Sequence, residues 1–194
     1  MLVYYDFETT GLNQFHDKII EYHFQKETTN DSISSLINPQ KNIPDIVTRI
    51  TKITNQMVSS APTIQDNIHQ ILQFLNCQGE FTYLVAHNGD NFDFIILREQ
   101  LSHLGYQMNN MNFRSIDTLL LAKKLYPNLP KHSLVPLCNQ LGVQTSEGHR
   151  AANDTEMVKN LYHYIIGDLA NILGTDPNLL LNEPSLVYNY INGY

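Results

Sequence analysis

Residues 2–9 read Leu-Val-Tyr-Tyr-Asp-Phe-Glu-Thr, and two sets of side chains alternate along this stretch. Alternation with a period of two is typical of a β-strand, in which residues two apart project from the same face. Asp6 and Glu8 therefore project together at the carboxyl end of an otherwise apolar strand, and Gly11 marks the turn that follows. The stretch thus places two carboxylates on one face of a sheet.

Two further blocks place aspartates at the start of helices. Residues 87–93 (HNGDNFD) end at Asp93 and residues 149–154 (HRAAND) end at Asp154, each four positions before an apolar helical stripe. Side chains four apart share a helix face, so both aspartates are expected on the core side. One such aspartate alone is explained by the helix dipole, which stabilises an N-terminal acid by about 0.3–1 kcal/mol. Two of them, together with the two strand acids, favour a metal site.

The chemistry of a metal site follows from the charge of these residues. Four convergent carboxylates cannot all stay ionised unless something positive neutralises them. Hard divalent cations such as Mg²⁺ prefer oxygen ligands, and a pair of such ions is a known device for cutting a phosphodiester. His149 lies five residues before Asp154, and a neutral imidazole there can take a proton from water.

Composition limits the class of protein. The chain has 194 residues, 42% of them hydrophobic and 16% charged, which is enough for one domain with a real core. The net charge of −7 argues against a nucleic-acid binder, unless metal ions offset the clustered acids. Cys77 and Cys138 form no zinc pattern and are expected to be free thiols. No membrane span and no signal peptide is recognised, so an intracellular, cytoplasmic protein is expected.

Periodicity predicts an α/β or α+β sandwich around a mixed sheet. After the first strand come two more strands in an antiparallel meander, then helices that alternate with two short strands. The predicted strands are 2–9, 18–26, 32–37, 82–86 and 113–116, and a short helix and loop lie within 44–57. The predicted longer helices are 63–75, 92–104, 118–126, 133–141 and about 153–169. Residues 170–194 are expected either to pack on the domain or to dock a partner.

Other residues near these blocks are given structural roles. Asp117 precedes Thr118-Leu119-Leu120 and is predicted to be a helix N-cap. His87 and Glu21 are left outside the catalytic set.

The three acidic blocks, in this order and with their flanking residues, resemble the three motifs of the DEDDh 3′–5′ exonucleases. That family includes proofreading exonucleases of bacterial replicative polymerases, RNase T, oligoribonuclease and the TREX enzymes. The resemblance covers about residues 1–168 and includes Ile19-Ile20-Glu21 and Ile37-Asn38-Pro39. It implies a ribonuclease H-like fold, in which a three-strand antiparallel meander and parallel strands form one mixed sheet flanked by helices.

The resemblance also assigns roles. It implies that Asp6, Glu8, Asp93 and Asp154 bind two Mg²⁺ ions, which Mn²⁺ can replace, and that His149 is the general base. Four positions are implied to contact the terminal nucleotide: Thr9, Thr10, Leu12 and Asn88. It divides the chain into an exonuclease domain (1–168) and a C-terminal extension (169–194).

The expected function is metal-dependent hydrolysis of nucleic acid, with DNA favoured, from the 3′ end to 5′-mononucleotides. Subgroup signals conflict, because residues 149–151 (HRA) are similar to the proofreading type, whereas residues 87–93 are spaced as in TREX. Two alternatives stay open: an RNA exonuclease, and a proofreading subunit docked on a polymerase. The expected partners are single-stranded 3′ ends, with a polymerase, a repair protein or a second copy as further candidates, and no membrane.

Overall fold

A computed structural model describes residues 1–75, 79–146 and 148–193. Its centre is a five-stranded sheet in the order β3-β2-β1-β4-β5. The strands are β1 (Leu2–Thr9), β2 (Ile19–Lys26), β3 (Ser32–Leu36), β4 (Thr82–Ala86) and β5 (Phe113–Asp117). The first three pair antiparallel, and β4 pairs parallel with both β1 and β5. The predicted mixed sheet with an antiparallel meander is therefore confirmed.

Helices cover both faces of this sheet. They are α1 (Asp45–Thr51), α2 (Asn55–Val58), α3 (Ile64–Leu75), α4 (Asp93–His103), α5 (Thr118–Leu125), α6 (Leu134–Leu141), α7 (Ala151–Leu173), α8 (Pro177–Asn182) and α9 (Pro184–Asn192). Short 3₁₀ turns occur at Gly89–Asn91 and Met108–Asn110. Among the described residues, no helix combines the length and apolarity needed to cross a lipid bilayer.

The alternation in β1 divides the core into two layers, as the period of two predicts. Leu2 and Tyr4 pack in the cluster that contains the apolar face of α7. Val3, Tyr5 and Phe7 pack on the opposite face, in the cluster that contains α3 and α4. Asp6 and Glu8 continue the parity of Leu2 and Tyr4, so they lie on the α7 face of the sheet.

Several boundaries differ from those predicted. The region 44–57 contains two short helices rather than one, separated at Lys52, whose left-handed φ of 62° ends α1. The last long helix begins at Ala151 rather than 153 and continues to Leu173, where Gly174 ends it with a φ of 65°. Cys138 is a buried free thiol, and Cys77 lies outside the described residues.

The C-terminal segment packs on the domain. Leu180 and Val187 are 2% and 0% exposed and belong to the same core cluster as α7. The Tyr188 ring meets that of Tyr83 edge-on at 6.0 Å between centroids. Of the two behaviours expected for residues 170–194, the structure shows packing. The division of the chain at residue 168 stays a prediction, and α7 runs across it.

An ion pair between buried Glu21 and the exposed Arg150 ties the sheet to the start of α7. Glu21 of β2 is 7% exposed, and its carboxylate accepts bonds from Arg150 Nη2 at 2.6 Å and Nε at 3.0 Å. The same carboxylate accepts the N–H of Ala151, the first residue of α7, at 3.0 Å. An acid at a helix N-terminus satisfies a backbone donor that otherwise has no partner. Glu21 therefore fixes where α7 begins.

We expect Glu21→Gln to lower the free energy of unfolding by about 1–3 kcal/mol, since hydrogen bonds to charged groups contribute roughly that much. Chemical denaturation monitored by circular dichroism measures the change. Glu99→Gln is the matched control, because Glu99 meets Arg98 at the surface, with side-chain exposures of 25% and 45%, where a pair contributes about 0–1 kcal/mol. Equal losses in the two variants would contradict the role given to Glu21.

Candidate active site

Three carboxylates converge at the carboxyl end of β1. Asp6 and Glu8 come from the strand and Asp154 from the first turn of α7. One oxygen from each lies within 4.8 Å of the other two. The register of β1 against β2 shifts between Glu8 and Thr9, and such an irregularity re-aims side chains next to a site. A strand and a helix thus bring together acids that are about 150 residues apart in the chain.

Asp93 approaches this group from the other layer of the fold. It is the first residue of α4, is 5% exposed, and lies outside the set of three that meets within 4.8 Å. Its charge nevertheless raises the pKa of Asp6 more than that of any other neighbouring acid. Burial raises the pKa of Asp93 to about 7, although hydrogen bonds from the backbone N–H groups of Asp93 itself and of Phe7 oppose this rise.

The electrostatics of the group show why it needs positive charge. Burial, then repulsion from Asp154 and Glu21, raises the pKa of Glu8 to about 8. Burial and the neighbouring acids raise the pKa of Asp6 well above its ordinary value, and burial raises the pKa of Asp154 as well. Like charges held this close resist ionisation together unless a cation joins them.

Asp117 orders the turn that leads to Asp93. It is 1% exposed and accepts the N–H groups of Asn88 at 2.9 Å, Asp90 at 3.3 Å and Leu119 at 2.8 Å. The bond from Leu119 is the predicted N-cap of α5. The bonds from Asn88 and Asp90 were not predicted, because only folding brings β5 beside β4.

His87, just before the same turn, also makes hydrogen bonds through both ring nitrogens. Its Nδ1 lies 2.9 Å from Thr118 Oγ1 and its Nε2 lies 2.8 Å from the His132 carbonyl oxygen. Burial lowers its pKa to about 4, so the ring is neutral. A neutral ring with both nitrogens engaged is structural, in keeping with its place outside the catalytic set.

His149 lies beside Asp154 in an unusual backbone conformation. Its φ is 66°, and its N–H donates to Asp154 Oδ2 at 2.7 Å. A left-handed conformation is uncommon for a residue other than glycine, and here the bond to Asp154 holds it. The side chain is exposed and borders a cavity that Glu8 also lines.

This cavity has a volume of about 400 Å³ and lies next to the carboxylates. Thr9 and Leu12 line it, as do Phe92 and, from α1, Ile46 and Ile50. Leu12, Ile46 and Ile50 are 86%, 55% and 46% exposed. The two isoleucines were not predicted from the sequence, although their spacing of four on a short helix would have placed them on one face.

The other two predicted nucleotide contacts lie elsewhere. Thr10 is 1% exposed, and its hydroxyl donates to Asp17 Oδ1 at 2.7 Å. Asn88 has a φ of 63°, and its side-chain oxygen accepts a bond from Asn91 Nδ2 at 3.0 Å. Neither residue lines the cavity.

Known proteins share the sequence of this chain over most of its length. A family model described as exonuclease (RNase T type) matches residues 3–162. The chain is 32% identical to the DNA polymerase III PolC-type of Clostridium perfringens over 95% of its own length and 12% of that protein. It is 34% identical to the PolC-type polymerase of Mycoplasma genitalium over 84% of this chain and 11% of that protein. The chain therefore spans about an eighth of the length of these relatives.

Solved structures show the same fold. Exonuclease X, determined in complex with 5′-overhanging duplex DNA, is 28% identical, with a TM-score of 0.67 over 92% of this chain and 96% of that one. Exonuclease I has a TM-score of 0.77 at 16% identity over 94% of this chain and 43% of that one, a likeness of fold.

Three findings agree with one another. The family model matches most of the chain, the sheet is ribonuclease H-like, and the acids gather at the carboxyl end of β1. The chain belongs to the DEDDh family of 3′–5′ exonucleases.

Proposed function

We propose that this chain hydrolyses DNA from the 3′ end and releases 5′-mononucleotides. The observation that carries the proposal is the meeting of Asp6, Glu8 and Asp154 oxygens within 4.8 Å, with Asp93 close enough to raise the pKa values of Asp6 and Glu8. An all-oxygen set of this kind binds hard divalent cations.

Divalent ions fit this group for an electrostatic reason. Asp6, Glu8, Asp93 and Asp154 would hold two Mg²⁺ or Mn²⁺ ions, and the pKa of each of the four is raised in their absence. Such ions, when bound, neutralise the charge of a scissile phosphate and make water a better nucleophile. They also explain how a chain of net charge −7 binds a polyanion.

The residues of the chain supply proton transfer and position. His149 takes the proton of the attacking water, while Asp154 accepts the His149 N–H at 2.7 Å and so fixes the loop. Attack at phosphorus forms a new P–O bond, and the bond to the 3′ oxygen of the shortened strand breaks. One 5′-mononucleotide leaves.

The cavity beside the carboxylates is suited to the terminal nucleotide. Its lining is mainly apolar, with Leu12, Ile46, Ile50 and Phe92 around a volume of about 400 Å³. Ligand sites commonly combine apolar walls for shape with a few polar groups for orientation. Thr9 and Glu8, which also line it, supply polar groups that would contact the sugar.

DNA is favoured over RNA as the substrate because related proteins were determined in complex with DNA. Exonuclease X was determined with duplex DNA and exonuclease I of E. coli with a dT13 oligonucleotide. The PolC-type relatives are DNA polymerases, which also supports a second candidate, a proofreading exonuclease that works with a polymerase. An RNA exonuclease is the remaining alternative, and it requires that the pocket accept a 2′-OH.

A degradation assay tests the proposal directly. Single-stranded DNA and RNA of one sequence, labelled at the 5′ end, are incubated with Mg²⁺, with Mn²⁺ and with a chelator. We expect a ladder that shortens from the 3′ end, faster loss of DNA than of RNA, and no loss with the chelator. Asp6→Asn is expected to abolish cleavage without unfolding the protein. Cleavage that persists in the chelated protein would refute the metal-dependent mechanism.

The role of His149 has its own test. We expect His149→Asn to lower kcat by about 10²–10⁴, the usual contribution of a general base, while asparagine accepts the left-handed backbone at φ 66°. Single-turnover rates on an oligonucleotide measure the loss. His69→Ala is the control, because His69 is an exposed residue of α3. A nearly unchanged rate for His149→Asn would remove this residue from the mechanism.

The raised pKa values predict how stability depends on pH without metal. In the folded state, Glu8 and Asp93 have pKa values of about 8 and about 7, whereas in the unfolded state the pKa of each is about 4. Between these pKa values the folded state binds protons that the unfolded state releases. Stability therefore falls as the pH rises from about 4 to 8. We expect the Tm of the chelated protein to decrease over this range, and Mg²⁺ to restore it at pH 8.

The Glu8→Gln variant provides the control for that experiment. It removes one of the titrating groups, so its Tm is expected to decline less with pH than that of the unaltered protein. A chelated protein whose Tm stays constant or rises between pH 5 and 8 would contradict the electrostatic account of the site.

A further inference from the structure

A groove runs along the outer edge of the sheet, beside β5. It has a volume of about 590 Å³ and lies between α4, β5 and α9. We call it the edge groove, and the side chains that define it are Phe94, Arg98, Phe113, Arg114, Tyr188 and Asn192. Asp90 also borders it, and Asp90 lies three residues before Asp93 in the chain, so the groove reaches the turn that leads to Asp93.

The lining of the edge groove has the chemistry that single-stranded nucleic acid requires. Phe94, Phe113 and Tyr188 are half-buried aromatic side chains on three different elements. Arg98 and Arg114 give two positive charges against the one carboxylate of Asp90, in a chain whose net charge is −7. Proteins that bind single strands combine aromatic surfaces, on which bases stack, with positive charge that follows the phosphates.

Both arginines are available to a phosphate. The Arg98 side chain is 45% exposed, and its contact with Glu99 is a surface one at 3.3 Å, which contributes little. Arg114 lies over the Phe81 ring, with its guanidinium carbon 4.2 Å from the centroid. Arg114 Nη1 donates to the Phe113 carbonyl oxygen at 3.0 Å, and the remaining N–H groups of the stacked guanidinium are left for a phosphate oxygen.

A buried hydroxyl gives a second, independent observation. Ser115 of β5 borders the groove, and its Oγ is buried without a hydrogen-bond partner among residues 1–75, 79–146 and 148–193. Buried hydroxyls are nearly always paired, and this unpaired one lies in the wall of the groove.

The length of the groove matches a short run of nucleotides. Three residues of β5 line the groove, Phe113, Arg114 and Ser115, and they span roughly 10 Å at the usual rise of a strand. Stacked nucleotides advance about 3.4 Å each, so about three of them fit along this wall.

We propose that the edge groove binds the part of a single-stranded DNA that lies upstream of its 3′ end, and that α9 forms the outer wall of this site. The proposal rests on the exonuclease function proposed above, which places the 3′ end at the carboxylates. Helix α9 lies beyond residues 3–162, which match the family model. The C-terminal segment therefore extends the substrate site of this chain as well as its core.

A matched pair of substitutions on α9 tests the proposal. Asn192→Asp places a negative charge in the groove, whereas Asn189→Asp makes the same change at an exposed position of the same helix that does not line the groove. We expect Asn192→Asp to raise the Kd for a 5′-labelled octathymidylate, measured by fluorescence anisotropy with a chelator present, by about 2- to 5-fold. Asn189→Asp is expected to change it much less, and both variants to keep the Tm of the parent.

Salt dependence gives a second readout. Removing one phosphate contact with Arg98→Gln is expected to reduce the slope of log Kd against log salt concentration by about 0.7. Lys26→Gln is the control, because Lys26 pairs with Val3 at the end of β2 opposite the carboxylates. Lys26→Gln and Asn189→Asp, at positions that do not line the groove, are expected to keep the kcat and KM of the parent on the octathymidylate.

The outcomes separate this proposal from the exonuclease function. If Asn192→Asp and Arg98→Gln bind the octathymidylate as the parent does, the groove does not hold nucleic acid, and a polypeptide at the edge of β5 becomes the better occupant. If the parent hydrolyses no DNA with any metal, the proposed function fails, but the anisotropy measurement still decides whether the groove binds a single strand.

Discussion

Repulsion between buried carboxylates is the main electrostatic constraint on this molecule. The fold forces Asp6, Glu8 and Asp154 within 4.8 Å of one another and adds Asp93 from the other side of the sheet. Burial and mutual repulsion raise the pKa of each of these acids. A protein that assembles such a group loses stability in its metal-free form. That loss is the physical reason to expect divalent ions, and with them phosphodiester chemistry.

The rest of the structure holds this unfavourable group in place. Glu21, which points at the same region from β2, is neutralised by Arg150 and accepts the first N–H of α7. Asp117 accepts three backbone N–H groups and orders the turn before α4. From the sequence, Glu21 and Asp117 look like further members of the acidic cluster. In the structure, each accepts at least one backbone N–H group and so fixes the backbone around the site. Their bonds to the chain are the reason to give them structural roles and to leave metal binding to the clustered acids.

The distribution of charge reconciles an acidic chain with a nucleic-acid substrate. The net charge of −7 counts the four clustered acids, which bound ions would offset. Away from them, arginine and aromatic side chains share the edge groove. The apolar cavity that Glu8 lines and the edge groove together would position a strand.

Local sequence was sufficient to predict the strands, the main helices and the convergence of Asp6, Glu8 and Asp154. Side-chain periodicity in β1 and α7 is a local property, and carboxylates aimed at a core are too costly to leave without a compensating charge. The first residue of α7 could not be predicted in this way, because Glu21 fixes it from a distant strand, and neither could the N–H groups that Asp117 accepts from the turn after β4. Folding alone brought Ile46 and Ile50 to the cavity and α9 to the wall of the edge groove. Contacts between residues far apart in the chain depend on how layers pack, and no local pattern encodes that packing.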